Sequence, residues 1–321
     1  MAAITLLEAG KLMEPSRKAG VVQTYAEAYQ PMQVAPVINT EGKASYSWSV
    51  EDDLAYNTSA SVRNVNRDFT ASQGDTKPYE SDVKIYGGKI QMDEFIADHS
   101  PASVTFQEQN QVRAHAKALT VDIFEGEGAT HLRGWRHWLL NDPAFSGQDI
   151  SMGATASGVL LDTEKVDELE GRVDRGPNLT FYCREIVTRR LRTISKGQAT
   201  GEQRMNYVKN EFGMWAEMYD GIPIITLQDG KGTDLLSGTE IDGDDSNSDT
   251  CSLYLINWGP EAAALFSSNP TIGANGVPLP KLTVQNDGSN YRYERLTWYV
   301  GSVPHTIRSI GRIKHIKNAT S

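Results

Sequence analysis

Residues 45–56 read SYSWSVEDDLAY. Tyr46, Trp48 and Val50 alternate with Ser45, Ser47 and Ser49, the period-two pattern of a strand with one apolar face. Leu54 and Tyr56 continue the alternation past an acidic corner at Glu51, Asp52 and Asp53. Further out, the whole stretch from Asn39 to Asp82 is written as a β-hairpin, yet beyond Tyr56 its apolar residues thin to Val62, Val65 and Phe69 among Asn, Ser, Arg and Thr. An isolated hairpin buries too little apolar area to offset the entropy of ordering it. The apolar face therefore needs a partner: either the rest of this chain covers it, or another copy does.

The remainder of the chain is long enough to supply a core. Its 321 residues predict about two domains. A hydrophobic content of 39% and a mean hydropathy of −0.44 are low for a compact enzyme and suit a protein with much extended or intersubunit surface. The formal charge of −10 argues against a protein whose main task is gripping nucleic acid, because phosphate neutralisation needs a basic face. Two cysteines, Cys183 and Cys251, are too few for a disulfide framework and form no CxxC pair, which points to a reducing compartment. No apolar run approaches the roughly 20 residues of a membrane span, and the opening MAAITLLEAGKL lacks the basic start and long apolar run of a signal peptide.

Periodicity predicts two short helical pieces over residues 4 to 29, broken near Pro15, which together look like an arm. Strand character returns at Val83 to Ile85 and Ile90 to Met92, with Gly87-Gly88 as a turn or bulge between them. Ala102 to Glu125 contains neither Gly nor Pro and sets Val112, Ala116, Leu119 and Ile123 on one face. That is a helix of about 36 Å, a spine for a domain. Gly126 and Gly128 end it, and His131 to Leu140 adds a short aromatic helix, after which 141 to 158 reads as loop. An α/β region follows: a helix capped by Asp162, a strand at Leu179 to Tyr182, a helix at Glu185 to Ser195, and strands at 205–208, 214–218, 222–227 and 251–256. Gln228 to Thr250 reads as a long exposed loop, Gly259 to Ser267 as a short helix, and the chain closes with strands near 282–284, 291–300 and 307–316.

Chemistry-bearing motifs are missing or fail their templates. Set on the EF-hand pattern from Asp245, the glycine position holds Thr250 and the bidentate glutamate position Ile256, so the acidic run is a solvated loop. Gly230-Lys231-Gly232 lacks the first glycine of a phosphate loop, whose place is taken by Ile225, and Gly232 stands where Ser or Thr should bind magnesium. Neither G-x-S-x-G nor H-E-x-x-H occurs, and no histidine pair has the spacing of two ligands on one helical face. No catalytic, metal or cofactor residue is therefore assigned. The cluster Arg184, Arg189, Arg190 and Arg192 is the candidate basic contact surface, its alternatives being a solvated helix face or a surface meeting an acidic neighbour.

The order of parts resembles a tailed-phage major capsid protein of the HK97-like family. The resemblance rests on the arm opening TLLEAGKL, the polar hairpin, the spine helix, HLRGWRHWL, YDGIPII, and the closing RLTWYVG and IRSIGRIKHI. It spans nearly the whole chain and implies an α+β fold with an N-terminal arm at 1–37, an E-loop hairpin at 38–82, a peripheral domain from 83–139 and 281–321 containing the spine helix 102–125, and an axial domain at 140–280. It further implies a shell protein of pentamers and hexamers rather than an enzyme, enclosing double-stranded DNA without sequence-specific binding. Such a protein assembles in the host cytoplasm into a virion, with a portal, a separate scaffolding protein, an optional decoration protein, no cofactor and no membrane. Tyr46, Trp48, Val50, Leu54 and Tyr56 are then expected to dock on a neighbouring subunit, so that Trp48→Ser leaves a folded subunit that assembles poorly. The competing readings are an encapsulin-like nanocompartment shell and a soluble α/β hydrolase or transferase.

Overall fold

In the computed structural model, the described residues are 4–5, 30–53, 75–93, 99, 101–153, 158–197, 204–209, 215–229, 231–239, 241–242, 245–246, 249–269, 280–286 and 291–319. The first strand β1 (Ile4–Thr5) is followed by α1 (Gln30–Val34), β2 (Pro36–Asn39), and the antiparallel pair β3 (Ser45–Asp53) and β4 (Asp75–Asp82). Next come β5 (Lys84–Asp93), the long helix α2 (Pro101–Glu125), α3 (Trp135–Asn141), β6 (Asp149–Ser151), α4 (Thr163–Arg172), β7 (Leu179–Cys183) and α5 (Glu185–Gly197). Strands β8 (Met205–Lys209), β9 (Trp215–Tyr219), β10 (Ile222–Thr226), β11 (Ile241–Asp242), β12 (Asp245–Ser246) and β13 (Thr250–Asn257) follow. The last are β14 (Ala263–Ser267), β15 (Lys281–Asn286), β16 (Tyr291–Pro304) and β17 (Ile310–Lys317).

These elements build two large sheets. The first runs β1-β2-β14-β16-β15, with β5 on the opposite edge of β16. Its period-two alternation is legible in β16, where Leu296, Trp298 and Val300 are buried on the side that carries α2, while Arg295 is exposed on the other. Helix α2 packs on β5, with the Tyr86 hydroxyl donating to Asp122 Oδ2 at 2.6 Å. Its buried face is Val112, Ala116, Leu119 and Ile123, as the spacing predicts. Gly87 and Gly88 do not form a turn: β5 is one continuous strand through them. A Cβ on Gly88 would lie 2.4 Å from His115 Nε2, so glycine is there to let the helix approach the sheet.

The second sheet runs β6-β17-β13-β7-β10-β9-β8. Its strand β7 is buried along its whole length, with Phe181 facing the core under α4 and α5 and Tyr182 meeting Phe124 of the spine helix at 5.1 Å. Asp162 caps α4 as expected, its carboxylate accepting from Lys165 N at 2.9 Å. Strands β9 and β10 are joined by Asp220-Gly221, both at positive φ (47° and 82°), the turn whose twist matches a two-residue hairpin.

Several segments differ from their sequence reading. Residues 263–267 are a strand of the first sheet rather than a helix, buried throughout; a short run such as AALF carries no periodicity that separates the two. The closing strand, expected near 307–316, begins only at Ile310: after a 3-10 turn at Ile307–Ser309, β17 crosses into the second sheet between β6 and β13. The segment expected as one exposed loop over Gln228–Thr250 folds back in its first half, where Leu235 N donates to Leu227 O at 2.8 Å and Leu235 and Leu236 are buried. Of the arm, only residues 4–5 and 30–37 are described, and Ile4–Thr5 is a strand paired with Pro36–Val37 rather than helix.

Candidate assembly surfaces

The hairpin register places Trp48 opposite Tyr79 and Tyr46 opposite Ser81, so Tyr46, Trp48, Val50 and Tyr79 share one face. That face rests on its own chain. Tyr46 stacks on Phe266 of β14 at 5.3 Å, and Trp48 meets Trp138 of α3 edge-on at 5.5 Å while its indole Nε1 donates to Pro304 O at 2.9 Å. Tyr79 adds an edge contact to Phe145 at 5.8 Å and donates its hydroxyl to Asp142 Oδ1 at 3.1 Å. Trp48 is 8% and Val50 3% exposed. Burial raises the pKa of both Tyr46 and Tyr79 above the ordinary phenol value.

Trp48 and Val50, expected to dock on a second copy, are thus buried within the chain itself, and Tyr46 is half-buried there. Their partners, Trp138, Phe145, Phe266 and Pro304, come from sequence so distant that no local pattern announces them. Leu54 and Tyr56 lie outside the described residues.

The basic cluster is also tied down within the chain. Arg184 Nε donates to Asp234 Oδ2 at 3.1 Å, Arg189 to Glu185 at 3.0 Å, Arg190 Nε to the Leu161 carbonyl at 3.0 Å and Arg192 Nε to Glu217 Oε2 at 3.2 Å. Asp234 also accepts from the backbone N–H of Glu185 at the start of α5. Three of the four cations thus face a carboxylate of their own chain, and the surface carries far less net positive charge than its sequence suggests.

The uncovered apolar side chains lie elsewhere, where the sequence reading singled out nothing. Ile85 on β5 is 66% exposed, Phe106 on α2 61%, and Tyr207 and Val208 on β8 are 51% and 48% exposed. Among the described residues β8 pairs only with β9 and β5 only with β16, so both strands offer a free edge to another chain. Tyr207 and Val208 are adjacent and therefore point to opposite faces, so beyond the buried Met205 the strand β8 presents apolar side chains on both faces. Consecutive apolar residues in a strand were the one sequence signal available for this site.

Among the described residues no group of three or more His, Cys, Asp or Glu is arranged to hold a metal ion. Cys183 is fully buried, and desolvation pushes its thiol up to about 12, which makes it inert as a nucleophile at neutral pH.

No protein-family model matches the sequence, and no curated protein matches it. Solved structures do match. The holo-SrpI encapsulin complex from Synechococcus elongatus PCC 7942 is similar with a TM-score of 0.62 at 13% identity, over 99% of this chain and 97% of that one. The capsid of a native GTA particle gives 0.59 at 12% identity, covering 91% and 90%. The capsid asymmetric unit of cyanophage A-1(L) gives 0.58 at 13% identity, covering 90% and 92%. The likeness runs over nearly the full length of each chain compared, and the chain has the HK97-like capsid fold.

Proposed function

We propose that this protein is a shell-forming subunit, the major capsid protein of a tailed phage, whose copies close into an icosahedral container around double-stranded DNA. The observation that carries the reading is the distribution of uncovered apolar side chains: Ile85, Phe106, Tyr207 and Val208 sit on three separate elements, two of them free sheet edges, in a chain of capsid fold. A subunit in a closed head-to-tail ring meets neighbours on more than one side, and several separate contacts sum to the roughly 2,000 to 5,000 Å² of an obligate interface. The net charge of −10 suits a wall that leaves enclosed DNA mobile rather than bound. Pentamers and hexamers of this chain, a portal, a separate scaffolding protein and an optional decoration protein complete the proposed particle, with the virion as its location and no enzymatic activity.

The second reading is an encapsulin-like compartment holding protein cargo, favoured by the likeness to the SrpI encapsulin over almost the whole of both chains. Electron microscopy of particles purified from the expressing host, with their absorbance at 260 and 280 nm, separates the possibilities. Shells rich in 260 nm absorbance support the phage reading, protein-filled shells the encapsulin reading, and a monomer or small oligomer in light scattering would sink both.

A further inference from the structure

The root of the hairpin meets the first sheet around one imidazole. His305 directly follows β16, and its backbone N–H donates to the Ala262 carbonyl at 2.8 Å, which holds the residue in place. Its ring stands edge-on to Tyr46, with centroids 5.7 Å apart at 85°, and to Trp48 at 6.2 Å and 62°. These are the two aromatic side chains by which β3 rests on the core. Nε2 of His305 is buried and has no hydrogen-bond partner. We propose that His305 is a proton-operated latch on the hairpin root: uncharged, it lets Tyr46 and Trp48 seat against the sheet, and on protonation it loosens that seat.

The physical case rests on what an imidazolium would meet there. A neutral ring can place its single proton on Nδ1 and leave Nε2 as a bare lone pair, which an aromatic surrounding tolerates. The charged ring must carry N–H at both nitrogens, and the one at Nε2 has no acceptor. Cation–π attraction to Tyr46 and Trp48 returns part of that loss, but supplies no hydrogen bond.

The charged and titratable groups around the ring do little to offset this. From β3 the neighbour is the Tyr46 phenol, neutral below its raised pKa. From the segment before β14 comes Glu261, whose charge favours the imidazolium but which is solvent-exposed and screened. Beyond Trp48, Lys77 and Asp142 stand 3.5 Å apart beside Tyr79 and offset one another, and Arg133 lies over the Trp138 ring at 5.2 Å. Burial, opposed by Glu261, holds the His305 pKa below its ordinary 6.5. The seated state thus binds the proton less tightly than the released one. Seating is fully favoured above about pH 6.5 and weakens as pH falls below it.

The test is amide hydrogen exchange of residues 46–50 in the full chain from about pH 7.5 to about pH 5.5, normalised for intrinsic exchange. Wild-type protection should fall toward roughly tenfold per pH unit in the acid part of the range, the limit for one linked proton. His305→Phe, which keeps an aromatic ring but cannot titrate, should hold protection constant, and His305→Gln is the second neutral variant if the first fails to fold. A flat wild-type profile, or the same fall in a neutral variant, overturns the latch. Titration of the His305 ring followed by NMR in the wild type is an independent reading: a pKa well below 6.5 supports the proposal and one at or above it overturns it.

Discussion

Strands β3 and β8 both carry aromatic and β-branched side chains, and they meet opposite fates. In β3 the apolar residues are spaced by two, share one face, and are buried by Trp138, Phe266 and Pro304 of the same chain. In β8 Tyr207 and Val208 are adjacent, point to both faces, and are left uncovered at the edge of the second sheet, beyond the buried Met205. Spacing by two asks for one covering layer, which a single chain can supply. Adjacency asks for cover on both sides of a projecting strand, which an edge cannot obtain from the sheet it belongs to. The pattern of apolar residues therefore states how many faces need cover, while the identity of the cover depends on contacts remote in sequence.

The largest effect expected from this contrast is at Trp48. Trp48→Ser removes a buried indole from four aromatic neighbours and its hydrogen bond to Pro304, so it should destabilise the subunit itself by about 3 to 5 kcal/mol. Urea unfolding of the unassembled chain measures this directly. A loss below about 1 kcal/mol, with shell formation still impaired, would return Trp48 to the interface and undo the distinction between the two strands.

Coverage by the chain itself has a consequence for charge as well. The side chain of Glu170 on α4 is 8% exposed, and burial together with the nearby Asp220 carboxylate raises its pKa to about 7, against a weaker pull from Arg175 at 3.5 Å. The sign follows: the folded state favours the protonated acid, so Glu170 costs nothing below about pH 4.5, and the cost grows as pH rises from there and is complete above about 7. Glu170→Gln should then stabilise the second sheet at pH 8 by on the order of 2 kcal/mol and leave stability at pH 4 nearly unchanged. Equal effects at the two pH values would show that the carboxylate is solvated, as an exposed residue's would be.

Much of the architecture was legible because its causes are local. The spine helix is a run without Gly or Pro with one apolar stripe, and the structure begins it one residue earlier, at Pro101, a residue suited to the first helical position. The Asp162 cap and the onset of β3 at Ser45 were equally local. What was not legible depended on distant partners. Gly87-Gly88 resembled a turn because the helix they make room for begins 13 residues after Gly88. The covering of Trp48 depends on Pro304, 256 residues away. Arg184 and the arginines of α5 looked like a basic surface because Asp234 and Glu217, which face Arg184 and Arg192, lie on later segments. Tyr207 and Val208 passed as an ordinary strand because consecutive apolar residues equally mark a strand buried on both faces, as β7 is.

The smallest effect on the subunit should come from β8, and that is what makes it the sharper test. Tyr207→Thr with Val208→Thr keeps residues that favour a strand and removes most of the exposed apolar area. Since neither side chain is buried in the free chain, stability should change by no more than about 0.5 kcal/mol. Particle formation should nonetheless fall several-fold in light scattering if, as proposed, these two side chains are covered by another copy. Particles at wild-type yield would remove β8 from the interface. A large loss of stability would mean that this edge is already covered in the free chain, and the contrast with β3 would collapse. A folded subunit that no longer assembles would show cover within the chain and cover between chains to be separable by two substitutions on one strand.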